Sequence, residues 1–550
     1  MKRYALPATT LMLLTLLVAL PLLFIFLQAL FPALGEGSLR GILSAFPATL
    51  QDPRLPTLLF GTLSSGVGVA AMSLLIGVPL GALRAQMPPP AARLWDILFL
   101  IPFLTPPYIS ALSWMLALQE NGYLQQLTGL ETNNILFSRI GMVLVMTFNI
   151  FPVVYFAVSR SMLAGGQRLA DVARVHGATP WRAFWHITLP MSLPALVAGA
   201  LLAFTLAVEE YGVPAAIGSR AGVSVLTVAI EEKLADWPID LSGASILSLL
   251  LMLMALAAFM LQRRLTGQQD VTVITGKPMP QQHVGGGRWR IPLLLIFSAV
   301  ALITLVLPIA SMMITAFLAT LSGGLHLSQL TLRHFSALFA WRGEALSALG
   351  TSLSLALGAA IITGFLGLLI AWMVAEKKVR GVASIDALAL LPAALPGVVI
   401  GVGLILLWNR PFWPISPYNS GLILLLSYCC LFLPWPVRYV SSALKQLGAT
   451  LAPAARVHGA SASQALRLII LPLVFPSLLA SMMMVFAVAS RELVTSLLLA
   501  PAGTQTVSIF IWRQFEQGSV GQGMAMACLA MAISLSVMLL ALALLTRSTR

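Results

Sequence analysis

Residues 169–194 read LADVARVHGATPWRAFWHITLPMSLP, and residues 451–476 read LAPAARVHGASASQALRLIILPLVFP. At a constant offset of 282 and without a gap, 13 of these 26 positions are identical. A repeat at fixed spacing sets the organisation of the chain around it. Each copy predicts two short helices meeting at a glycine. The first, around 168–176, ends at Gly177, which suits a left-handed C-cap, and Gly459 holds that place in the second copy. Thr179 follows as N-cap with Pro180 at the first helical position, and Ser461 is the second copy's N-cap. Leu189-Pro190 and Leu471-Pro472 are expected to stop the segment and open an apolar run.

Apolar runs make up most of what surrounds the repeat. Of the 550 residues, 59% are hydrophobic and 9% charged, against about a quarter charged in soluble domains. A helix needs roughly 20 mainly apolar residues to cross a bilayer. Twelve stretches qualify: 6–31, 57–83, 95–118, 135–159, 191–213, 241–262, 291–318, 346–374, 385–408, 418–437, 473–498 and 520–546. The first follows Lys2 and Arg3 but is too long for a usual signal peptide and has no clear small-residue cleavage site, so a retained anchor is expected. The expected fold is an all-α polytopic membrane protein.

Six spans separate the two copies of the repeat, so both halves insert with the same orientation, as parallel six-helix repeats do. Looser echoes extend the match: Pro102 and Pro106 with Pro392 and Pro396, and Thr62 and Ser64 with Thr351 and Ser354. The expected division is a first span and outer loop (1–56), a first transmembrane domain (57–262), a cytoplasmic linker rich in Gly, Gln and Arg (263–290), a seventh span and outer loop (291–345) and a second transmembrane domain (346–546).

Charge orients the spans. With the N-terminus in the cytoplasm, the inner segments hold 22 of the 32 Lys and Arg residues and 5 of the 18 acidic ones, giving +17 inside and −3 outside. The positive-inside rule selects this topology, with both termini cytoplasmic, and accounts for the net charge of +14 without nucleic acid as a partner. Both copies of the repeat then lie in cytoplasmic loops.

In those loops the chain resembles permeases of the binding-protein-dependent ABC import family, whose cytoplasmic loop has the pattern E-A-A-x3-G-x9-I-x-L-P. One copy reads Asp171-Val172-Ala173, then Gly177, Ile187, Leu189 and Pro190; the other reads Pro453-Ala454-Ala455, then Gly459, Ile469, Leu471 and Pro472. The departures are Asp and Pro in place of the family Glu. The resemblance implies an inner-membrane permease subunit, a transport component and not an enzyme. Its coupling loops would sit in clefts of ATP-binding subunits, two copies being expected, and a periplasmic solute-binding protein would deliver the solute. Ala173 and Ala455 would permit close approach, and Arg174, His176, Arg456 and His458 would supply polar contacts to the partner. Fused double-length permeases of this kind look most like the branch associated with ferric iron, 2-aminoethylphosphonate or thiamine, with the first two favoured. Loops that only cap the bundle and meet lipid headgroups are the plain alternative, but they require no spacing shared by two halves.

ATP hydrolysis is expected on another chain: a phosphate loop needs G-x-x-x-x-G-K-[ST], and the Gly276-Lys277 pair precedes Pro278. Cys429, Cys430 and Cys528 lie in apolar runs and the histidines show no ligand spacing, so neither metal nor cofactor is expected. Ionisable groups within spans are costly and mark functional positions. Glu209 and Glu210, with Arg491 and Glu492 at the same offset of 282, are expected near the outer ends of spans 5 and 11, beside segments that suit a bent gate. Lining the solute path and forming an interhelical ion pair are both open for them. The alternative class is a twelve-helix secondary transporter, which usually carries ionisable coupling residues deep in the bundle.

Overall fold

The computed structural model describes residues 2–163, 172–266, 289–341, 343–376, 381–411, 413–447, 454, 455 and 457–548. The chain is an all-α polytopic membrane protein. Among the described residues, ten helices are long and apolar enough to cross a bilayer: Leu6–Leu30, Leu55–Gln86, Arg139–Ser161, Pro180–Glu209, Leu241–Leu265, Arg290–Phe317, Glu344–Ala375, Gly421–Leu447, Leu466–Ala489 and Val520–Leu544. Two further spans are bent pairs, Ala92–Leu104 with Pro107–Thr128 and Val382–Ala394 with Gly397–Trp408, raising the number to twelve. Spans are numbered 1 to 12 in chain order, the bent pairs being 3 and 9. Most of the linker, residues 267–288, lies outside the described residues.

Spans 3 and 9 are broken, by 95° and 117°. The cause is proline chemistry. A residue preceding proline is pushed out of the helical region; Thr105 before Pro106 has ψ 130°, and Leu395 before Pro396 has ψ 132°. Freed polar groups in a membrane need protein partners. Thr105 Oγ1 donates to the Ile101 carbonyl at 2.9 Å, and Asn149 Nδ2 of span 4 donates to the Thr105 carbonyl at 3.3 Å.

Two compact units form. One comprises residues 52–229 and 253–329, and so holds spans 2 to 5 with span 7; the other comprises 1–51, 230–252 and 330–550, and so holds span 1 with spans 8 to 12. Each half's additional helix thus packs on spans of the other half of the sequence. In the first unit, fully buried Phe297 of span 7 stacks on Phe99 of span 3 at 5.5 Å, in a cluster with Phe151 and Tyr155 of span 4. In the second unit, Leu14 of span 1 takes the corresponding role in an aliphatic cluster with Ile370, Ile385, Leu433 and Val437.

Glycines set the closest helix contacts, as small residues do where lipid supplies no hydrophobic drive. A Cβ on Gly77 of span 2 would lie 2.9 Å from the Tyr155 nitrogen, and one on Gly367 of span 8 would lie 3.0 Å from the Val437 nitrogen. Gly77 and Gly367 are therefore repeat equivalents, as are Tyr155 and Val437.

Candidate functional site

The two repeated loops fold alike. The turn over 172–175 ends at Gly177, whose φ is +90°. The Ala178 N–H donates to the Ala173 carbonyl at 2.9 Å and the Gly177 N–H to that of Arg174 at 3.0 Å. Gly459 has φ +85°, and the Ala460 N–H donates to the Ala455 carbonyl at 3.0 Å. This is a helix end closed by a left-handed glycine, which any Cβ would strain. Thr179 Oγ1 then accepts from the Arg182 N–H at 3.3 Å. In the second loop Ser461 and Gln464 cap one another, with bonds of 3.2 and 2.8 Å, a reciprocal box. Asp171 and Arg456 lie outside the described residues.

The Leu-Pro pairs do not stop a helix, contrary to the expectation from sequence. Span 5 runs unbroken from Pro180 to Glu209, beginning eleven residues earlier than expected, and span 11 begins at Leu466. Proline lacks an N–H and its ring crowds the carbonyl four residues back. A wide π-turn at Phe184–Thr188, with the Leu189 N–H donating to the Phe184 carbonyl, makes room for Pro190. Leu466–Ile470 does the same for Pro472. Ile187, Leu189, Ile469 and Leu471 are half-buried on these continuous helices. Each loop is thus continuous with a helix long and apolar enough to cross a membrane.

The loops present small and exposed surfaces. Ala173 is half-buried and Ala455 buried, while Arg174, His176 and His458 are exposed. Val175 and Val457, 282 residues apart, are 85% and 84% exposed, which is costly in water and suits an apolar partner. The first loop adds an aromatic group, Trp181 and Trp185, with ring centroids 5.5 Å apart; Ser463 and Arg467 stand at the equivalent positions.

At the other end of spans 5 and 11 the four ionisable residues divide by role. Glu210 Oε1 accepts from the Gly212 and Val213 N–H groups at 2.8 and 3.3 Å. Glu492 accepts from the Thr495 and Ser496 N–H groups at 3.0 and 3.1 Å and from the Thr495 hydroxyl at 2.6 Å. Each carboxylate caps the segment that follows the break, a favourable place for negative charge. Around Glu492 the network continues, with Ser427 Oγ donating to Thr495 Oγ1 and Tyr428 Oη sharing a hydrogen bond with Ser496 Oγ. Arg491 is 8% exposed and its Nε donates to the Ala487 carbonyl at 3.1 Å. Glu209 differs: its Oε1 is buried with no hydrogen-bond partner.

Two constellations escaped sequence reasoning. Arg410 at the end of span 9 donates to Gln28 Oε1 at 2.9 Å and to the Leu34 carbonyl at 2.6 Å, fastening span 1 in its unit. Arg84, Asp96 and Tyr155 form a second cluster, joining the C-terminal parts of spans 2 and 4 to the start of span 3. Separations of 382 and 59 residues carry no local signal.

Residues 73–267 and 364–550 each match the family described as binding-protein-dependent transport system inner membrane component. A ferric transport system permease protein of Actinobacillus pleuropneumoniae is 25% identical over 475 residues, covering 84% of this chain and 67% of that protein. An Fe(3+)-transport system permease protein of Haemophilus influenzae is 23% identical over 519 residues, covering 92% of each. A molybdenum transport system permease protein of Mycobacterium bovis is 29% identical over 211 residues, covering 38% of this chain and 79% of its own length.

Proposed function

Because the chain belongs to the family of binding-protein-dependent transport system inner membrane components, we propose that its loops at 171–190 and 453–472 are the two surfaces through which ATP-binding subunits drive the spans. The protein is a multi-pass inner-membrane permease of an ABC importer, a fused double-length one, and a transport component and not an enzyme. The family works with an ATPase and a periplasmic binding protein. The duplicated geometry supports one ATP-binding subunit on each loop, two in all, and the charge balance supports both loops and both termini in the cytoplasm. The observation that carries the loop assignment is the pair of glycine-closed turns, each exposing a valine and each continuous with a membrane-spanning rod.

The substrate we infer is ferric iron. Relatives named for ferric transport match along most of the chain, and the unpartnered Glu209 oxygen at the outer end of span 5 is a hard donor of the kind such a cation prefers. Glu209 and Arg491 are the path residues on this reading, while Glu210 and Glu492 hold the outer break in shape. The test is ATP-dependent uptake in vesicles that contain the permease and its ATPase, with the iron-loaded binding protein outside. Uptake of radioactive iron is expected. Uptake of 2-aminoethylphosphonate on its own binding protein, with none of iron, would overturn the iron assignment and leave the importer class untouched.

A further inference from the structure

Arg84 is buried at the inner end of span 2, and its guanidinium forks onto Asp96 at the start of span 3, with Nε to Oδ1 at 3.0 Å and Nη2 to Oδ2 at 2.7 Å. Asp96 Oδ1 also accepts from Tyr155 Oη of span 4 at 2.7 Å. A forked arginine–carboxylate pair fixes orientation as well as distance. The tyrosine is held in turn: its backbone lies against Gly77 and Gly81, and its ring meets Phe99 edge-on at 5.2 Å. One Asp96 carboxylate therefore joins three spans. Span 4 ends at Ser161, ten residues before the first coupling loop in the sequence.

Among the described residues, the other half shows no such cluster. Asp96 has its equivalent in Asp386, but Arg84 is replaced by Val374 and Tyr155 by Val437. The carboxylate is repeated and the two groups that hold it are not. Arg84 also has a spare donor, since Nη1 is buried without a hydrogen-bond partner. Carrying an incompletely satisfied arginine among apolar spans is unexplained by packing alone, which Val374 accomplishes in the second half.

We propose that Arg84, Asp96 and Tyr155 are positioning residues that make the inner ends of spans 2, 3 and 4 move as one block with the first coupling loop, while the second loop moves spans that are not tied in this way. Force then enters the two halves unequally. The inference rests on the loop assignment above. In the first half, displacement of the loop pulls span 4, and through Tyr155 and Asp96 it reaches the short arm of the bent span 3 and the end of span 2. Without the cluster, span 4 slides against its neighbours and part of the movement is lost before it reaches the path.

The test uses the assembled transporter in vesicles, with ATPase inside and loaded binding protein outside. Y155F removes one hydroxyl and keeps the ring, and D96N keeps the shape while losing the charge; R84K keeps the charge and loses the fork. Spin labels at positions 87 and 161 report the separation of the inner ends of spans 2 and 4 across the ATP cycle. In the unmutated protein this separation is expected to stay constant, and in Y155F and D96N to vary with nucleotide. Solute carried per ATP hydrolysed is expected to fall at least threefold in Y155F and D96N, and to an intermediate value in R84K, while the ATPase still copurifies. A constant separation and an unchanged ratio in Y155F would overturn the proposal even if D96N fails to fold. Loss of ATPase copurification on altering the loop glycines, or its absence, tests the loop assignment separately and leaves the separation measurement standing.

Discussion

The Leu226 N–H donates to Thr62 Oγ1 at 2.9 Å, bringing the start of the helix Leu226–Ala235 onto span 2. The same bond recurs in the second unit, where the Val507 N–H donates to Ser352 Oγ at 2.8 Å. In each, a second hydroxyl ties that helix back to the end of the long span: Thr227 to the Glu210 carbonyl, and Ser508 to that of Glu492. These helices are thus clasped to spans 2 and 5 and to spans 8 and 11 by paired hydroxyls.

If these clasps hold the span ends together, removing one leaves a buried N–H without an acceptor, which costs about 1–3 kcal/mol. T62V should lower the thermal midpoint of the purified permease and T62S should not. S352A should act like T62V. Because the two sites lie in different units and share no partner, the double variant should show close to the sum of the single effects. Equal midpoints for T62V and T62S would mean that the clasp contributes nothing.

Much of this was legible from periodicity and repetition. Apolar runs long enough to cross a bilayer gave the number of spans, and two copies of one loop gave the repeat that relates the halves. Lateral neighbours were not legible, because a lipid-compatible helix such as 6–31 or 291–318 reads the same whichever half it packs on. The breaks in spans 3 and 9 left only their prolines, and proline also sits inside the continuous spans 5 and 11, where a π-turn absorbs it. Pro190 and Pro106 look alike in sequence and differ in what precedes them: a widened turn in one case, an extended residue in the other. Register slipped by one in the echo of Thr62, whose structural equivalent is Ser352, one residue after Thr351.

The loop glycines permit a test in which backbone strain and partner contact separate. A Cβ at Gly177 or Gly459 meets nothing within 4 Å in this chain. Alanine and arginine there carry the same left-handed strain, roughly 1–2 kcal/mol, so any difference between them comes from a partner surface. G177R and G459R should reduce receptor-stimulated ATP hydrolysis and uptake at least tenfold below G177A and G459A, at equal protein in the membrane. Equal activity of the Ala and Arg variants would show that nothing approaches these turns.

Orientation is tested by labelling. Single cysteines at 171, 275 or 378 should react only with reagent supplied from the cytoplasmic side, and those at 45, 232 or 515 only from outside. Labelling of position 275 from outside would overturn the twelve-span topology, since an even number of spans must separate it from the N-terminus.

The outer carboxylates divide into two kinds, and isosteric amides tell them apart. E492Q replaces an acceptor of two N–H groups and two hydroxyls, and E210Q an acceptor of two N–H groups. Both oxygens of Glu492 face donors, so the amide of E492Q brings donors against donors and stability should fall by about 1–3 kcal/mol. Both bonds of Glu210 fall on Oε1, which the carbonyl oxygen of E210Q can replace at a smaller loss. In each case uptake should fall in step with the folded protein. E209Q breaks no cap. It replaces a carboxyl group whose buried Oε1 has no hydrogen bond with an amide of the same shape, so the thermal midpoint should hold. If Glu209 meets the cation in transit, uptake per folded molecule should nevertheless drop at least tenfold. A variant E209Q that is both as stable and as active as the unmutated protein would place the carboxylate outside the path. One that loses stability would mean that the Glu209 carboxyl is held by a partner in the folded bundle.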